Sequence, residues 1–269
     1  MNNAPIGVFD SGMGGLTVMR ALTERLPNES FLYLGDTARL PYGTKSADTV
    51  KRYALQASRA LMERGVKMVV VACNTASVAL PALQEALSPL PVIGVIEPGA
   101  EAALTAAPDG PIAVIATEGT VKGGAYVRAI QARGQTPVVQ QACPLFVPMT
   151  EEGLVAGPIA DAIAHRYLDP LLTTVPKPKC LLLGCTHYPA LKPVIARVAG
   201  DMMLVDSAVT TAAAVEKLLK EKKMEAVNAS ASRKFLATDA PDRFARVGEI
   251  FFGAAIDPGD VELIDLQSA

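Results

Sequence analysis

Val69-Val70-Val71-Ala72-Cys73-Asn74-Thr75 decides the fold, because its pattern returns 112 residues later as Leu181-Leu182-Leu183-Gly184-Cys185-Thr186-His187. Each copy runs through three aliphatic residues, one small residue and a cysteine to a short polar pair ahead of helix-forming sequence. Short aliphatic runs bounded by polar turns read as strands buried on both faces. Further strands are predicted at 6–9, 31–34, 92–95, 112–116, 138–140 and 203–205, with longer amphipathic stretches between them. Regular alternation of this kind implies an α/β fold of mainly parallel sheets flanked by helices. In open sheets of that class the carboxyl ends of strands face the binding crevice, so both thiols are expected at a cleft.

Of the 269 residues, 50% are apolar and 19% charged, which supplies a full core for one or two lobes and excludes intrinsic disorder. Glu97-Pro98-Gly99 and Asp206-Ser207 interrupt the alternation without a long linker. They are read as two crossings. Residues 1–97 with 207–269 then form a discontinuous first lobe and 98–206 a second, pseudo-symmetric with it, with the active site in the cleft between. The segment 233–265 reads as helix and strand that complete the first lobe.

The 25 basic and 27 acidic residues leave a formal charge of −2 without a run of like charges, so nucleic acid is not an expected partner. The longest apolar stretches lie within 66–73 and 180–185, less than half of the ~20 residues that span a bilayer. The opening MNNAPIGVFDSG has no basic n-region. No membrane association is expected, and the location is expected to be cytoplasmic. Four cysteines are too sparse for a secreted disulfide scaffold and read as thiols in a reducing compartment.

A buried, unreactive thiol is the ordinary state of cysteine, and Cys143 and Cys180 take that reading. Cys180 and Cys185 start and end one strand and point to opposite faces, so no metal site is expected there. At Cys73 and Cys185, backbone N–H groups and the positive end of the following helix are expected to favour the thiolate. His165, beside Arg166, reads as a surface residue, whereas His187 can reach the cleft as a proton partner of Cys185. Phe9-Asp10-Ser11-Gly12-Met13-Gly14-Gly15 follows a strand and opens a helix, and three readings of it stay open. It is a dinucleotide loop with Asp36 as the ribose acid, although Thr17 stands at the third glycine position. Alternatively, its N–H groups bind a carboxylate while Asp10 does acid/base work. In the third reading the glycines serve only tight strand-to-helix packing.

Several motifs in order carry a resemblance: Gly7-Val8-Phe9-Asp10-Ser11-Gly12, Tyr33-Leu34-Gly35-Asp36 with Pro41-Tyr42-Gly43, Ala72-Cys73-Asn74-Thr75-Ala76, Pro144-Leu145-Phe146-Val147-Pro148 with Glu151-Glu152-Gly153, and Leu183-Gly184-Cys185-Thr186-His187-Tyr188-Pro189. Together they resemble bacterial glutamate racemase, of the aspartate/glutamate racemase family. The resemblance runs from residue 6 to about 207 and reaches no motif in the tail. It implies a two-lobed isomerase that interconverts L- and D-glutamate without a cofactor, with Cys73 acting on D-glutamate and Cys185 on L-glutamate. It also implies that Asp10 assists Cys73 and that His187 and Glu151 assist Cys185, with Glu152 the competing candidate for that acid. Asp10, Ser11, Tyr42, Gly43, Asn74, Thr75, Thr117, Thr186 and His187 would line the substrate site. No lysine lies in these motifs, and none resembles a pyridoxal phosphate attachment site. The product would feed peptidoglycan synthesis in cell wall biogenesis. The implied partner is the small-molecule substrate, and a homodimer is left open.

The chemistry agrees with the resemblance. Inversion needs a base on one face of Cα and an acid on the other, because a single group would return the proton to the side it left. A thiol, with an ordinary pKa of about 8.5, can serve as either. Three alternatives remain in view: a racemase for aspartate, a thiol hydrolase built on Cys185 and His187, and a binding protein for an acidic amino acid.

Overall fold

The computed structural model describes residues 3–227 and 231–266; residues 1–2, 228–230 and 267–269, all in the expected first lobe, lie outside the described residues. The strands are β1 (Ile6–Asp10), β2 (Phe31–Gly35), β3 (Met68–Val71), β4 (Val92–Gly94), β5 (Ile112–Ala116), β6 (Val138–Ala142), β7 (Cys180–Gly184), β8 (Met203–Asp206), β9 (Arg233–Ala237) and β10 (Val261–Leu263). They form two sheets, ordered β10-β9-β2-β1-β3-β4 and β6-β5-β7-β8. All pairings are parallel. The order β2-β1-β3-β4 of the first sheet is repeated as β6-β5-β7-β8 in the second, so the echoed cysteine motifs are one sign of a repeated half.

The aliphatic runs become strands because both faces of each sheet are covered. Every residue of β1, β2, β3, β5 and β7 is buried. Alternation then divides each strand between two cores: Val8 and Val70 join one cluster, Phe9 and Val71 the other. In the second sheet Cys180 and Leu182 belong to one face, Leu181, Leu183 and Cys185 to the opposite one. The pleat therefore keeps Cys180 away from Cys185.

The helix Ile96–Ala106 leads from the first sheet into the second, and Glu97-Pro98-Gly99 lies in its first turn, not in a break. Proline is tolerated there because the first N–H groups of a helix have no intrahelical partner. The return is the helix Ser207–Lys222, capped by Asp206, whose carboxylate accepts from the Ala208 N–H at 2.9 Å. Its buried face, with Ala208, Ala212, Val215 and Leu219, packs in the first sheet's core with Leu16, Val18 and Met19. The helix Ala125–Gln131 is preceded by a second short helix, Glu118–Gly123, and Gly124 with φ +61° divides the two. The helix Phe146–Glu151 has six residues, too few for a periodic pattern to announce it. No helix among the described residues is long and apolar enough to cross a membrane.

Glycines let the two sheets' loops meet. A Cβ on Gly14 would lie 2.4 Å from His187 Nδ1 and 2.6 Å from Thr186 Oγ1, and one on Gly43 would lie 2.9 Å from Thr117 Cβ. Gly119 in turn faces the Gly43 carbonyl, 2.9 Å from where its own Cβ would stand. Gly14→Ala is therefore expected to destabilise by about 1–3 kcal/mol through overpacking. Gly134→Ala, with nothing within 4 Å and an ordinary φ, should be neutral or stabilise by up to about 1 kcal/mol. Urea denaturation of both variants checks this, and equal midpoints would show that the contact with His187 carries no packing constraint.

Candidate active site

In each sheet the chain turns one way from the first strand and the other way later, leaving a crevice between β1 and β3 and a second between β5 and β7. Asp10 ends β1, Cys73 lies two residues beyond β3, Thr117 follows β5 and Cys185 follows β7. The two crevices open on each other, and one enclosed cavity is lined by Ser11, Tyr42, Gly43, Cys73, Asn74, Thr75, Thr117, Cys185, Thr186 and His187, together with Pro41 and Val147. Both thiols thus border one space. Its volume is about 30 Å³, about two water molecules' worth. No lysine or arginine lines it, so its polar surface is hydroxyl, amide, imidazole and thiol.

Asp10 is fully buried and does not line the cavity surface. Its Oδ2 accepts from the Gly12 N–H at 2.9 Å and its Oδ1 from the Thr186 hydroxyl at 3.4 Å, which ties the glycine loop to the other half. Burial pushes its carboxyl upward, opposed by the His187 charge and by these hydrogen bonds. The Thr17 hydroxyl also donates across, to the Thr186 carbonyl at 2.9 Å. The loop's first N–H is spent on Asp10, and its later glycines face His187, Thr186 and the Asp10 and Tyr33 side chains. Asp36, the acid of the dinucleotide reading, is fully buried and accepts from Tyr42, from Arg39 at 2.7 Å and from Thr238 at 3.0 Å. Close packing, not a phosphate cradle, is what these glycines provide.

Around Cys73, Ser11 Oγ stands 3.5 Å from Sγ and the Ala76 N–H points to it at 3.4 Å. Cys185 Sγ lies 3.8 Å from His187 Nδ1, and His187 Nε2 lies 3.1 Å from Glu151 Oε1. Glu151 Oε2 accepts from Arg243 Nη2 at 3.2 Å. Burial pushes the Glu151 carboxyl up, but the His187 and Arg243 contacts outweigh it and hold it below the ordinary value. An ionised Glu151 is acceptor only, which places a His187 proton on Nε2; in the neutral ring the Nδ1 lone pair then faces Cys185. Glu152 is exposed, so the geometry selects Glu151 of the two acids. Phe251 packs edge-on against the His187 ring, 4.9 Å between centroids.

The hydroxyls of Thr75, Thr117 and Thr120 form a triangle with sides of 3.0, 3.1 and 3.2 Å across the cleft. Asn74 Oδ1 accepts from the Tyr126 hydroxyl at 2.6 Å, while its buried Nδ2 has no partner. That orphan donor belongs to a cavity-lining residue, where a ligand oxygen would satisfy it. His165 is exposed and pairs with Asp169 at 3.0 Å on its own helix.

One expectation is overturned. Neither cleft thiol is held as a thiolate: burial, the largest influence, pushes Cys73 up to about 12 and raises Cys185 as well. The helix argument fails because each cysteine is followed by a single 3-10 turn, Ala76–Ala79 or Tyr188–Leu191, before the α-helix starts. The backbone N–H groups that reach the sulfurs do not offset desolvation, and the Asp10 charge adds to it at both. Tyr126, Arg243 and Phe251 were not singled out in the sequence; the last two lie in the motif-free tail, and only the fold brings them to the cleft.

A model of the family described as Asp/Glu/Hydantoin racemase matches residues 6–217. The chain belongs to that family. It is 45% identical to the glutamate racemase of Geobacter metallireducens, over 98% of this chain and 97% of that one. Among solved structures, the glutamate racemase of Francisella tularensis in complex with D-glutamate superposes with a TM-score of 0.93 at 38% identity, covering 100% of both chains. The Thermus thermophilus glutamate racemase in complex with β-chloro-D-alanine gives 0.89 at 42% identity over 99% of both. The family's fold, two parallel sheets with helices on their faces, is the fold described above.

With both thiols neutral when the cavity is empty, iodoacetamide at pH 8 is expected to alkylate Cys73 and Cys185 more slowly than free cysteine, by tenfold or more on the order of one pKa unit per tenfold. Peptide mass spectrometry over time checks this, and faster labelling at either residue would reinstate the low-pKa reading.

Proposed function

We propose that the protein is a glutamate racemase that interconverts L- and D-glutamate by proton transfer between Cys73 and Cys185, with no cofactor. The observation that carries this reading is the delivery of two cysteines, from equivalent strand ends of two sheets, into one cavity that hydroxyl, amide and imidazole groups also line. The glutamate racemases that match it over nearly the whole chain support glutamate over aspartate as substrate. A Cys185–His187 hydrolase would leave Cys73 without a task. D-Glutamate made in this way would supply peptidoglycan synthesis, placing the enzyme in the cytoplasm.

The cycle starts from neutral thiols. The substrate's ammonium brings a positive charge into a cavity whose nearest buried charge is Asp10, and this favours one thiolate at the moment of binding. For L-glutamate, the Cys185 proton passes to His187 Nδ1 and the thiolate removes the Cα proton. Cys73, still a thiol, then protonates the opposite face. For D-glutamate the thiols exchange tasks, with Asp10 supporting Cys73 through the local charge balance. The developing carbanion is stabilised through its carboxylate, held by Asn74 Nδ2 and by the hydroxyls of Ser11, Thr75 and Thr117, with Tyr42, Gly43 and Thr186, tied to Asp10, closing the wall. Because the cavity is smaller than glutamate, residues 1–97 with 207–269 and residues 98–206 would act as two lobes that part to admit substrate and close to exclude water.

The equilibrium constant between enantiomers is unity by symmetry, so kcat/KM is equal in the two directions for any variant. Racemisation rates alone therefore do not tell the thiols apart. Solvent isotope uptake tests whether two groups act: in D2O the product enantiomer should gain deuterium at Cα while the remaining substrate gains little, because different thiols abstract and return the proton. Cys73→Ser and Cys185→Ser should each lower racemisation by at least about a hundredfold, the ordinary contribution of a positioned acid or base. NMR and polarimetry follow both. Near wild-type turnover in either variant would defeat the two-thiol scheme.

A further inference from the structure

The family match ends at residue 217, yet two side chains from the helix Pro241–Phe252 reach the Cys185 side of the cleft. Arg243 meets Glu151, and Phe251 meets the ring of His187. We propose that Arg243 is a positioning residue for the Cys185 half of the reaction, holding Glu151 so that His187 keeps its Nδ1 lone pair toward the thiol. This rests on the two-thiol reading and deepens it.

The Glu151 side chain is only 8% exposed and its oxygens are divided, one to His187 and the other to Arg243, whose side chain is 40% exposed. A buried carboxylate with one oxygen unpaired tends to rotate or take up a proton. A protonated Glu151 would donate to His187 Nε2 and force the ring's own proton onto Nδ1, where it would face Cys185 Sγ and block transfer from the thiol. Arg243 removes that alternative. Around His187 stand Glu151 on Nε2, Cys185 at Nδ1 and the Asp10 charge behind the glycine loop. Among the described residues, no arginine or lysine other than Arg243 hydrogen-bonds Glu151. Among the described residues no corresponding chain reaches Cys73, whose neighbours are Ser11 and the Ala76 N–H, with the Asp10 charge nearby.

The backbone aims the helix. Ala240 just before it adopts φ 49°, a left-handed conformation for a residue with a Cβ. Thr238 and Asp239 ahead of it are tied to the turn after β2: the Thr37 hydroxyl donates to the Asp239 carbonyl at 2.6 Å, and Thr238 donates to Asp36 at 3.0 Å. The first turn bearing Arg243 therefore has a fixed direction.

The test separates the halves with a glutamate analogue carrying chloride at Cβ. A thiolate takes the Cα proton, the C–H electron pair becomes the Cα=Cβ bond, and chloride leaves with the C–Cl pair. One abstraction suffices, so the L form reports on Cys185 and the D form on Cys73. In Arg243→Gln, elimination from the L form should fall about three- to tenfold, the scale of one charged hydrogen bond at a half-exposed site. Elimination from the D form should stay within about twofold, and Arg243→Lys should recover part of the loss. Racemisation kcat/KM should fall equally in both directions. An unchanged L rate, an equal loss with both enantiomers, or no recovery in Arg243→Lys overturns the proposal. Cys185→Ser is the parallel control: if it keeps elimination from both forms, the two-thiol reading itself fails, and if it keeps L but loses D elimination, the assignment of Cys185 to L-glutamate fails. If it abolishes L elimination while Arg243→Gln leaves the rate unchanged, only the role of Arg243 fails.

Discussion

Close approach between the loop of Gly14 and the ring of His187 is the contact on which the rest of the site depends. A Cβ at Gly14 would stand 2.4 Å from Nδ1, closer than the ring allows without moving, so its absence sets how near the carboxyl ends of the two sheets come. That distance places Asp10 within reach of the Thr186 hydroxyl and lets Thr17 hold the Thr186 carbonyl. Gly43 repeats the arrangement on the other side of the cavity against Thr117, and Gly119 against the Gly43 carbonyl. With two such contacts the cleft closes around a space bordered by both thiols.

Burial then governs the chemistry. An exposed thiol at a strand end would ionise readily, whereas a buried one keeps its proton until a positive charge arrives. The raised thiols in the empty cleft are therefore suited to a substrate that carries an ammonium group: the charge that needs a base also helps to create it. Among the described residues no lysine or arginine lines the cavity to hold a thiolate before substrate binds. Arg243 stands outside the cavity and acts on Glu151, two contacts away from the sulfur.

The halves are alike in sheet order and in the motif that ends β3 and β7, but their polar surroundings differ. Cys73 faces a serine and a backbone N–H, while Cys185 faces a histidine backed by a carboxylate and a guanidinium. A repeated fold thus carries two unlike thiols, as the substrate demands: the two faces of an amino acid's Cα are mirror-related, but the amino acid sits in the cleft in one orientation.

The sequence by itself determined the α/β class, the strands β1 to β8, both cleft cysteines and the polar residues beside them, because these are local: a run of three valines or leucines signals a strand buried on both faces, and a cysteine at its end sits where such strands meet a crevice. It also narrowed the assisting acid to two adjacent glutamates. Only the tertiary structure chose Glu151, since adjacent helical residues point about 100° apart and burial of one exposes the other. The same holds for Tyr126 on Asn74, for Arg243 and Phe251 at His187, and for Asp36 as a buried tie in place of a ribose acid. It also reversed the expected ionisation of the thiols. Each of these depends on which distant segment covers a group and excludes water from it, and a pattern confined to a few neighbouring residues holds no record of that.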